Sequence, residues 1–332
     1  MRLLDCNRLQ PESHAPVPTN LPMHAARSQR LVMLEHSIET ASLRMAERDA
    51  FVASSAPSAR TTRASRRFRR LIRQQPAMLW EGALLLQPPF ACPVDLSKTQ
   101  RLSDAAEGDA RVDGGKWLCG AQLLRHAPWP CVVHSLGSRM DVSFELHVQQ
   151  ALLPRRCEIH VYDPTIGDRF GAGAATRFER AIRQRGLQLH QLAAAAAPGE
   201  RNLTLMVRQQ RHTYPAQTID EIVGVSRCAD IVKVDVEGAE HTMLEHAPWR
   251  RLCVGLLLFE LHPPVADFAT GALRGGNTSA FTTGEALRLI ARLEAAGFRH
   301  YATEPVCPHC ELQAEFAFVN VSWLRALIEA AP

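Results

Sequence analysis

The stretch Ile231-Val-Lys-Val-Asp-Val-Glu-Gly-Ala-Glu240 decides the fold of this 332-residue chain, because a buried apolar strand ends there in carboxylates and a glycine. In an open α/β sheet, ligands bind beyond the carboxyl ends of the strands. We therefore expect Asp235 and Glu237 to stand at the mouth of a crevice, with Gly238 letting the backbone turn tightly. The alternative is a strand followed by a solvated acidic turn, and a short motif alone does not separate the two interpretations.

Two further segments predict the same kind of sheet. An apolar run from Cys131 meets Gly137 and continues into an amphipathic stretch, which indicates a strand, a tight turn and a helix. A second strand begins at Cys157 and ends in Asp163. In nucleoside-binding βαβ units, an acidic residue about 20 positions after the glycine turn accepts hydrogen bonds from the ribose hydroxyls. The spacing therefore predicts a bound nucleoside, with Asp163 at its ribose.

The turn after this first strand has few glycines. Gly137 is followed by Ser138, Arg139 and Met140, whereas a dinucleotide needs several glycines so that backbone can approach its pyrophosphate. A nicotinamide-dependent oxidoreductase is therefore disfavoured. A cofactor with a ribose and no phosphate fits better, and S-adenosylmethionine is the common cofactor of that kind.

The chain from about Asp113 to Asn320 resembles the FkbM-like S-adenosylmethionine-dependent methyltransferases, and more specifically their eukaryotic "methyltransferase-like" branch. The segments that carry the resemblance are Lys233-Val-Asp-Val-Glu-Gly-Ala-Glu240, Asp113-Gly-Gly-Lys-Trp-Leu-Cys119, Ser135-Leu-Gly-Ser138 with Ser143-Phe-Glu145, and Tyr162-Asp-Pro-Thr165. The chain departs from the usual methyltransferase pattern at the first motif, which lacks further glycines, and at the third strand, which runs into Ala193 to Ala197 without an acidic or amide residue for adenine.

The resemblance implies a set of cofactor contacts. Gly137 with its neighbours Ser135 and Ser138 would form the cofactor turn, and Asp163 would hold the ribose. Lys116, just before the first core strand, would meet the methionine carboxylate of S-adenosylmethionine. The alternative for Lys116 is an ordinary charged turn.

Methyl transfer requires an acceptor aligned with the methyl carbon and, for a hydroxyl acceptor, removal of a proton. The resemblance implies that Asp235, which would also contact the cofactor, and Glu237 face the methyl group and the acceptor. Glu260 and His262 end the next apolar strand on the same side, and His262, with an ordinary pKa of about 6.5, is a candidate base. The alternative for His262 is a strand cap. Because neighbouring carboxylates repel each other, we expect neutralising Asp235 to leave the melting temperature equal or higher.

Strands alternate with helices along the chain and then close in two antiparallel strands, near Phe298–Thr303 and Glu315–Val321. This order predicts an α/β fold, a doubly wound, Rossmann-like, seven-stranded and mostly parallel sheet with an antiparallel C-terminal strand at its edge, flanked by helices. We assign residues 79–332 to this methyltransferase domain. Residues 1–78 are rich in Pro, Ser, Ala and Arg and are predicted to form a loosely ordered basic extension, with one helix from about Ser28 to Val52.

Charge and hydropathy set the expected partners and compartment. The net charge is only +4, but arginines crowd the Arg60–Arg73 cluster, which either binds an anionic partner such as RNA, lipid or an acidic protein, or forms a solvated face. No stretch is apolar over the length of a transmembrane segment, and the amino terminus lacks the apolar core of a signal peptide. We therefore expect a cytoplasmic protein, with the secretory pathway as the alternative if the chain is incomplete at its start.

Nine cysteines, an odd number, do not predict a disulfide framework. Cys92 and Cys119 could pair in an oxidising compartment. Four cysteines at strand edges are predicted to be small buried apolar residues, namely Cys131, Cys157, Cys228 and Cys253. Cys307-Pro-His-Cys310 supplies two cysteine ligands, so a structural zinc site would need His309 and a distant Cys or His to complete it. The favoured alternative is a hairpin turn with free or paired thiols, so no metal site is predicted.

Two functions of different classes remain. The first is an S-adenosylmethionine-dependent methyltransferase acting on a hydroxyl of a small molecule or glycan. The second is a catalytically silent member that uses the fold, or its basic extension, as a binding module. Cofactor binding and turnover separate them.

Overall fold

A computed structural model describes residues 26–54, 88–99, 115–152, 157–195, 197–224, 228–236, 238–262, 283–305 and 314–331. Glu237, the Arg60–Arg73 cluster and the Cys307–Cys310 segment lie outside these residues. The strands, in chain order, are β1 (Leu96–Lys98), β2 (Trp117–Cys119), β3 (Cys131–Leu136), β4 (Cys157–Tyr162), β5 (Leu187–His190), β6 (Ala193–Ala194), β7 (Asn202–Val207), β8 (Gln210–Gln217), β9 (Ala229–Val234), β10 (Val254–Leu261), β11 (Phe298–Pro305) and β12 (Ala314–Asn320). The helices are α1 (Ala26–Ser54), α2 (Ala121–Leu124), α3 (Ser143–Ala151), α4 (Ile166–Phe170), α5 (Ala172–Gln184), α6 (Ile219–Val223), α7 (Glu240–His246), α8 (Thr283–Ala295) and α9 (Val321–Ala330).

The main sheet has seven strands in the order β11-β12-β10-β9-β3-β4-β5. Strand β12 is antiparallel to both of its neighbours, and the other adjacent strands pair in parallel, which confirms the predicted fold class. The antiparallel strand was expected at the sheet edge, and it lies one position further in. The crossover from β10 through α8 skips one position in the sheet, and β12 returns as a hairpin from β11 into that gap.

The chain changes direction across the sheet between β3 and β9. From β3 it proceeds to β4 and β5 on one side, and from β9 to β10 on the other. Leu136 of β3 and Val234 of β9 are paired at the carboxyl ends of these two strands. Gly137 and Asp235 therefore follow side by side at the topological switch point, where open α/β sheets bind their ligands.

Both faces of the sheet are covered, which is why its central strands are mostly apolar and do not alternate with exposed polar residues. Val133 and Ile231 belong to the core on one face, while Val232 and Leu257 belong to the core on the other. Every residue of β9 and β10 is buried, so the ionisable residues within them must find partners inside the protein.

The predicted N-terminal helix is confirmed as α1, and it packs on the sheet domain. Leu34 and Ala41 are fully buried in the core beside α9. The Arg48 guanidinium binds Glu294 of α8 through nitrogen to oxygen distances of 2.6 and 3.2 Å. The division of the chain at residue 78 remains a prediction. None of the helices in the described parts of the chain is both long and apolar enough to cross a membrane.

Three disulfides join described cysteines. The pairing of Cys92 with Cys119 agrees with the stated possibility. The prediction that the other four are simply small buried apolar residues is wrong, because Cys131 bonds Cys157 and Cys228 bonds Cys253. The reason is strand register. Cys131 and Cys157 are direct partners at the start of β3 and β4, and Cys228 and Cys253 each precede the paired residues Ala229 and Val254 of β9 and β10.

Candidate active site at the switch point

Gly137 makes the turn after β3 possible for two reasons. Its φ is +85°, a conformation that favours glycine. A Cβ at this position would lie 1.7 Å from the backbone oxygen of Asp235, so the turn and the end of β9 are packed backbone to backbone. The Gly137 amide also donates to the carbonyl of Tyr162 at the end of β4. Gly137 therefore allows the ends of β3, β4 and β9 to pack closely together.

Asp163 is buried directly beneath this turn. Its Oδ2 accepts hydrogen bonds from the amides of Ser138 at 3.3 Å and Arg139 at 2.7 Å, and from the Ser138 hydroxyl. Its Oδ1 accepts from the amide and hydroxyl of Thr165, both at 2.9 Å. These donors satisfy both oxygens, so Asp163 holds the glycine turn against β4. Its predicted contact with a ribose remains a prediction.

Ser135 faces the interior of the domain. It is fully buried in β3, and its hydroxyl donates to the carboxylate of Glu145 on α3. Burial is the main cause that raises the pKa of Glu145. The structure therefore places the Ser135 side chain against α3, whereas Gly137 and Ser138 lie in the turn itself.

A connected set of charged side chains fills the space beyond β9 and β10. Its members are linked by contacts under 4 Å and are called here the ion network. They are Lys116, Lys233, Asp235, Glu240, Glu260, His262 and Glu315.

Lys116 lies at the centre of the ion network. Its Nζ donates to Glu315 and lies 3.5 Å from Oδ2 of Asp235 and 3.7 Å from Oε2 of Glu260. Burial lowers the pKa of Lys116, but the charges of Glu315, Asp235 and Glu260 outweigh it and raise the pKa above its usual value. The side chain is 1% exposed, so this ammonium group ties three strand ends together from inside the protein.

Lys233 connects the ion network to the glycine turn. Its Nζ donates to the carbonyl of Gly137 at 2.7 Å and lies 3.4 Å from Oδ2 of Asp235. Lys233 was not among the predicted site residues. The available signal was a lysine inside a strand with a mostly apolar sequence, because a buried ammonium group requires a partner.

Asp235 is the member of the ion network that reaches the surface. Its side chain is 20% exposed, while Lys116 is 1% exposed. Burial raises the pKa of Asp235, but Lys233, Lys116 and His262 together lower it well below its usual range. Asp235 therefore presents a permanent negative charge at the mouth of the crevice.

His262 lies between two carboxylates. Its Nδ1 is 3.0 Å from Oε1 of Glu240, and its Nε2 is 3.3 Å from Oε1 of Glu260. Burial lowers the pKa of His262, but Glu240, Glu260 and Asp235 outweigh it and raise the pKa to about 9. At neutral pH the ring is then protonated, so the predicted role as a base would require a pH near or above this value.

Glu240 also organises the loop that follows Asp235. It accepts hydrogen bonds from the amides of Val236 and Gly238, both at 2.8 Å. Gly238 has a φ of +111°, in agreement with the tight turn expected there. Glu240 is thus fixed in place by the same short segment that carries Asp235.

A family model described as "Methyltransferase domain" matches residues 58–319, which is more than half of the chain. The chain belongs to this methyltransferase family. The predicted family of methyltransferases is thereby confirmed. A separate comparison with curated proteins finds no match.

Solved structures similar to this methyltransferase have low identity. Fibrillarin pre-rRNA processing protein from Methanococcus jannaschii is 11% identical with a TM-score of 0.33, and the match covers 57% of this chain and 66% of that one. Methyltransferase FkbM from Methylobacillus flagellatus is 14% identical with a TM-score of 0.31, covering 57% and 43%. Aeropyrum pernix fibrillarin, solved with natively bound S-adenosyl-L-methionine, is 13% identical with a TM-score of 0.33, covering 68% and 88%.

The predicted site residues of the methyltransferase divide into three groups. Gly137, Asp235 and Lys116 converge at the switch point, and His262 joins them through the ion network. Asp163 and Ser138 form the support of the glycine turn. Ser135 points to α3, and Glu237 lies outside the described residues. The ion-network residues that the sequence analysis missed as site residues are Lys233, Glu240 and Glu315.

The chemistry of the crevice suits a cationic cofactor. The partly exposed carboxylate of Asp235 stays ionised, and the sulfonium of S-adenosylmethionine is a cation that such a group attracts. The turn from Gly137 to Arg139 lies beside Asp235 and is where the nucleoside end of that cofactor would be held. The residues present at the switch point therefore fit this cofactor.

Proposed function

We propose that this methyltransferase uses S-adenosylmethionine and methylates an oxygen atom of a small-molecule or glycan hydroxyl. The observation that carries the proposal is the position of Asp235. It is an ionised, partly exposed carboxylate at the topological switch point, held by two buried lysines against the glycine turn. In this position it faces the ligand crevice of an α/β sheet.

Each residue of the site has a proposed part in the reaction. When bound, S-adenosylmethionine supplies an activated methyl group. Asp235 holds the positive charge of the cofactor in place, and Lys233 fixes Asp235 relative to the carbonyl of Gly137. Most of the rate gain in such a site comes from alignment of the two reacting groups. The buried contacts of Lys116 keep the Asp235 carboxylate preorganised.

A hydroxyl acceptor must also lose its proton. Among the described residues, Asp235 has a lowered pKa and His262 has a pKa raised to about 9, so neither is matched to a base at neutral pH. We infer that transfer to oxygen is faster at alkaline pH if His262 takes the proton. Glu237 remains a proposed contributor to acceptor binding, as the family resemblance implies.

The lack of a base matched to neutral pH at Asp235 and His262 favours a second candidate function. A site without a matched base would suit a catalytically silent member that binds the cofactor or an acceptor without turnover. In that case the ion network would serve binding and stability alone.

The test is transfer of a radiolabelled methyl group from S-adenosylmethionine to a panel of polyols, glycans and phenols by the full-length protein between pH 7 and pH 9. Calorimetric titrations with S-adenosylmethionine and with NAD run beside it. We expect binding of S-adenosylmethionine only, and transfer that Asp235→Asn abolishes. Binding without transfer to any acceptor class would favour the silent member, and binding of NAD alone would refute the cofactor assignment.

The disulfides bear on the compartment. Disulfides persist in oxidising compartments and are rare in the cytosol. With three of them joining β-strand ends and the segment before β1, we propose an oxidising compartment, such as the secretory pathway, in place of the cytoplasm. Localisation of the tagged full-length protein in cells tests this proposal, and a purely cytosolic distribution would contradict it.

A further inference from the structure

We propose that Asp235, Glu240 and His262 bind a divalent transition-metal cation, of which Mn²⁺ and Zn²⁺ fit the donor set best. One ligand atom from each of these residues lies within 4.8 Å of the other two. The cation site goes beyond the proposed function, because it can form whether or not a methyl group is transferred.

The spacing of two of the ligands already suits a metal. Nδ1 of His262 and Oε1 of Glu240 are 3.0 Å apart. Two ligands that each lie about 2.1 Å from one metal ion, at right angles, are roughly 3 Å apart. A cation would take the place of the proton between these two atoms. Both lysines of the ion network contact Oδ2 of Asp235, and a carboxylate oxygen of Asp235 would complete the set.

The surroundings of the ligands are those of a metal centre. A histidine that ligates a metal typically donates its other ring N–H to a carboxylate, and Nε2 of His262 lies 3.3 Å from Glu260. A carboxylate that ligates a metal is in turn held by hydrogen bonds. Glu240 accepts two such bonds, from the amides of Val236 and Gly238. The orientation of both ligands is therefore set before any ion arrives.

The donor set selects the class of metal. One imidazole nitrogen and two carboxylate oxygens suit Mn²⁺ or Zn²⁺ better than Mg²⁺, which prefers oxygen ligands alone. Three protein ligands leave coordination positions for water or for an acceptor hydroxyl. A hydroxyl bound there would lose its proton more easily, because a bound metal ion lowers the pKa of an oxygen ligand.

The test uses the full-length protein, stripped of metal with a chelator and titrated with MnCl₂ and, separately, with ZnSO₄ in a calorimeter. We expect saturation at one ion per chain, and a pulsed electron paramagnetic resonance spectrum of bound Mn²⁺ that shows a coordinated imidazole nitrogen. His262→Gln and Asp235→Asn should each weaken binding at least about tenfold. The matched control is His160→Gln, because His160 forms a similar pair with Glu158 at 3.1 Å, away from the switch point.

Several results would overturn the site. They are the absence of saturable binding, a spectrum without nitrogen coupling, unchanged affinity in a folded His262→Gln or Asp235→Asn protein, or an equal loss in His160→Gln. The spectrum of the unaltered protein decides the question if the variants do not fold. Since no titration contains S-adenosylmethionine, failure of the cation site and failure of the proposed methyl transfer are distinguishable.

Discussion

Replacing Gly137 by alanine is expected to destabilise the protein by about 2–5 kcal/mol. The positive φ of +85° costs an alanine about 1–2 kcal/mol. The new Cβ would also lie 1.7 Å from the backbone oxygen of Asp235, so the turn and the end of β9 must separate. Overpacking of this kind costs about 1–3 kcal/mol more. The free energy of unfolding, measured by urea denaturation, gives the total loss.

Gly199 provides the matched control for this substitution. It has the same φ of +85°, and a Cβ added there would meet no atom within 4 Å. Gly199→Ala should therefore lose only the conformational part, about 1–2 kcal/mol. The difference between the two variants measures the backbone contact between the glycine turn and Asp235. Equal losses in the two variants would refute the packing of Gly137 against β9.

Three further predictions follow from the charges and the cysteines. Asp235→Asn should lower the free energy of unfolding at pH 7 by about 1–3 kcal/mol, because a carboxylate with a lowered pKa stabilises the fold above the pKa of its unfolded state. This prediction reverses the expectation from carboxylate repulsion. A melting temperature above the parent's would contradict it. His262, with a pKa raised to about 9, contributes stability that is fully present below about pH 6.5 and is lost as the pH rises through 9. Urea denaturation should show that the free energy of unfolding falls by about 3 kcal/mol over that range. In a folded His262→Gln protein, the free energy of unfolding should depend less on pH. Peptide mapping without reduction should find Cys131 linked to Cys157, and replacing both by serine should cost about 2–4 kcal/mol. Free thiols at both positions in the oxidatively refolded protein would refute the pairing.

The architecture was predictable because burial on both faces leaves a clear pattern. The strands β3, β9 and β10 are mostly apolar and are buried at every position, and a charged residue follows β9 and β10 at the crevice edge. The hairpin of β7 and β8 was missed, since its turn at Arg208 and Gln209 has positive φ angles without a glycine or asparagine to signal it. The position of β12 between β11 and β10 was also missed, because the sequence pattern does not show between which strands the last strand inserts.

Part of the candidate site was predictable because two of its residues directly follow strands. Asp235 and His262 follow strands directly, so their position at the crevice can be read from strand ends. Glu315 lies on β12, and its approach to Lys116 depends on strand register that no spacing reveals. The disulfide between Cys228 and Cys253 depends on register in the same way.

The central claim is that Asp235 faces the sulfonium of S-adenosylmethionine at the switch point. Calorimetry can compare S-adenosylmethionine, whose sulfur is positively charged, with S-adenosylhomocysteine, whose sulfur is neutral, in the parent and in Asp235→Asn. Because a nearby charge acts on the cation alone, we expect the substitution to weaken S-adenosylmethionine about tenfold more than S-adenosylhomocysteine. An equal loss for both ligands, or no binding of either by the folded parent protein, would contradict this assignment.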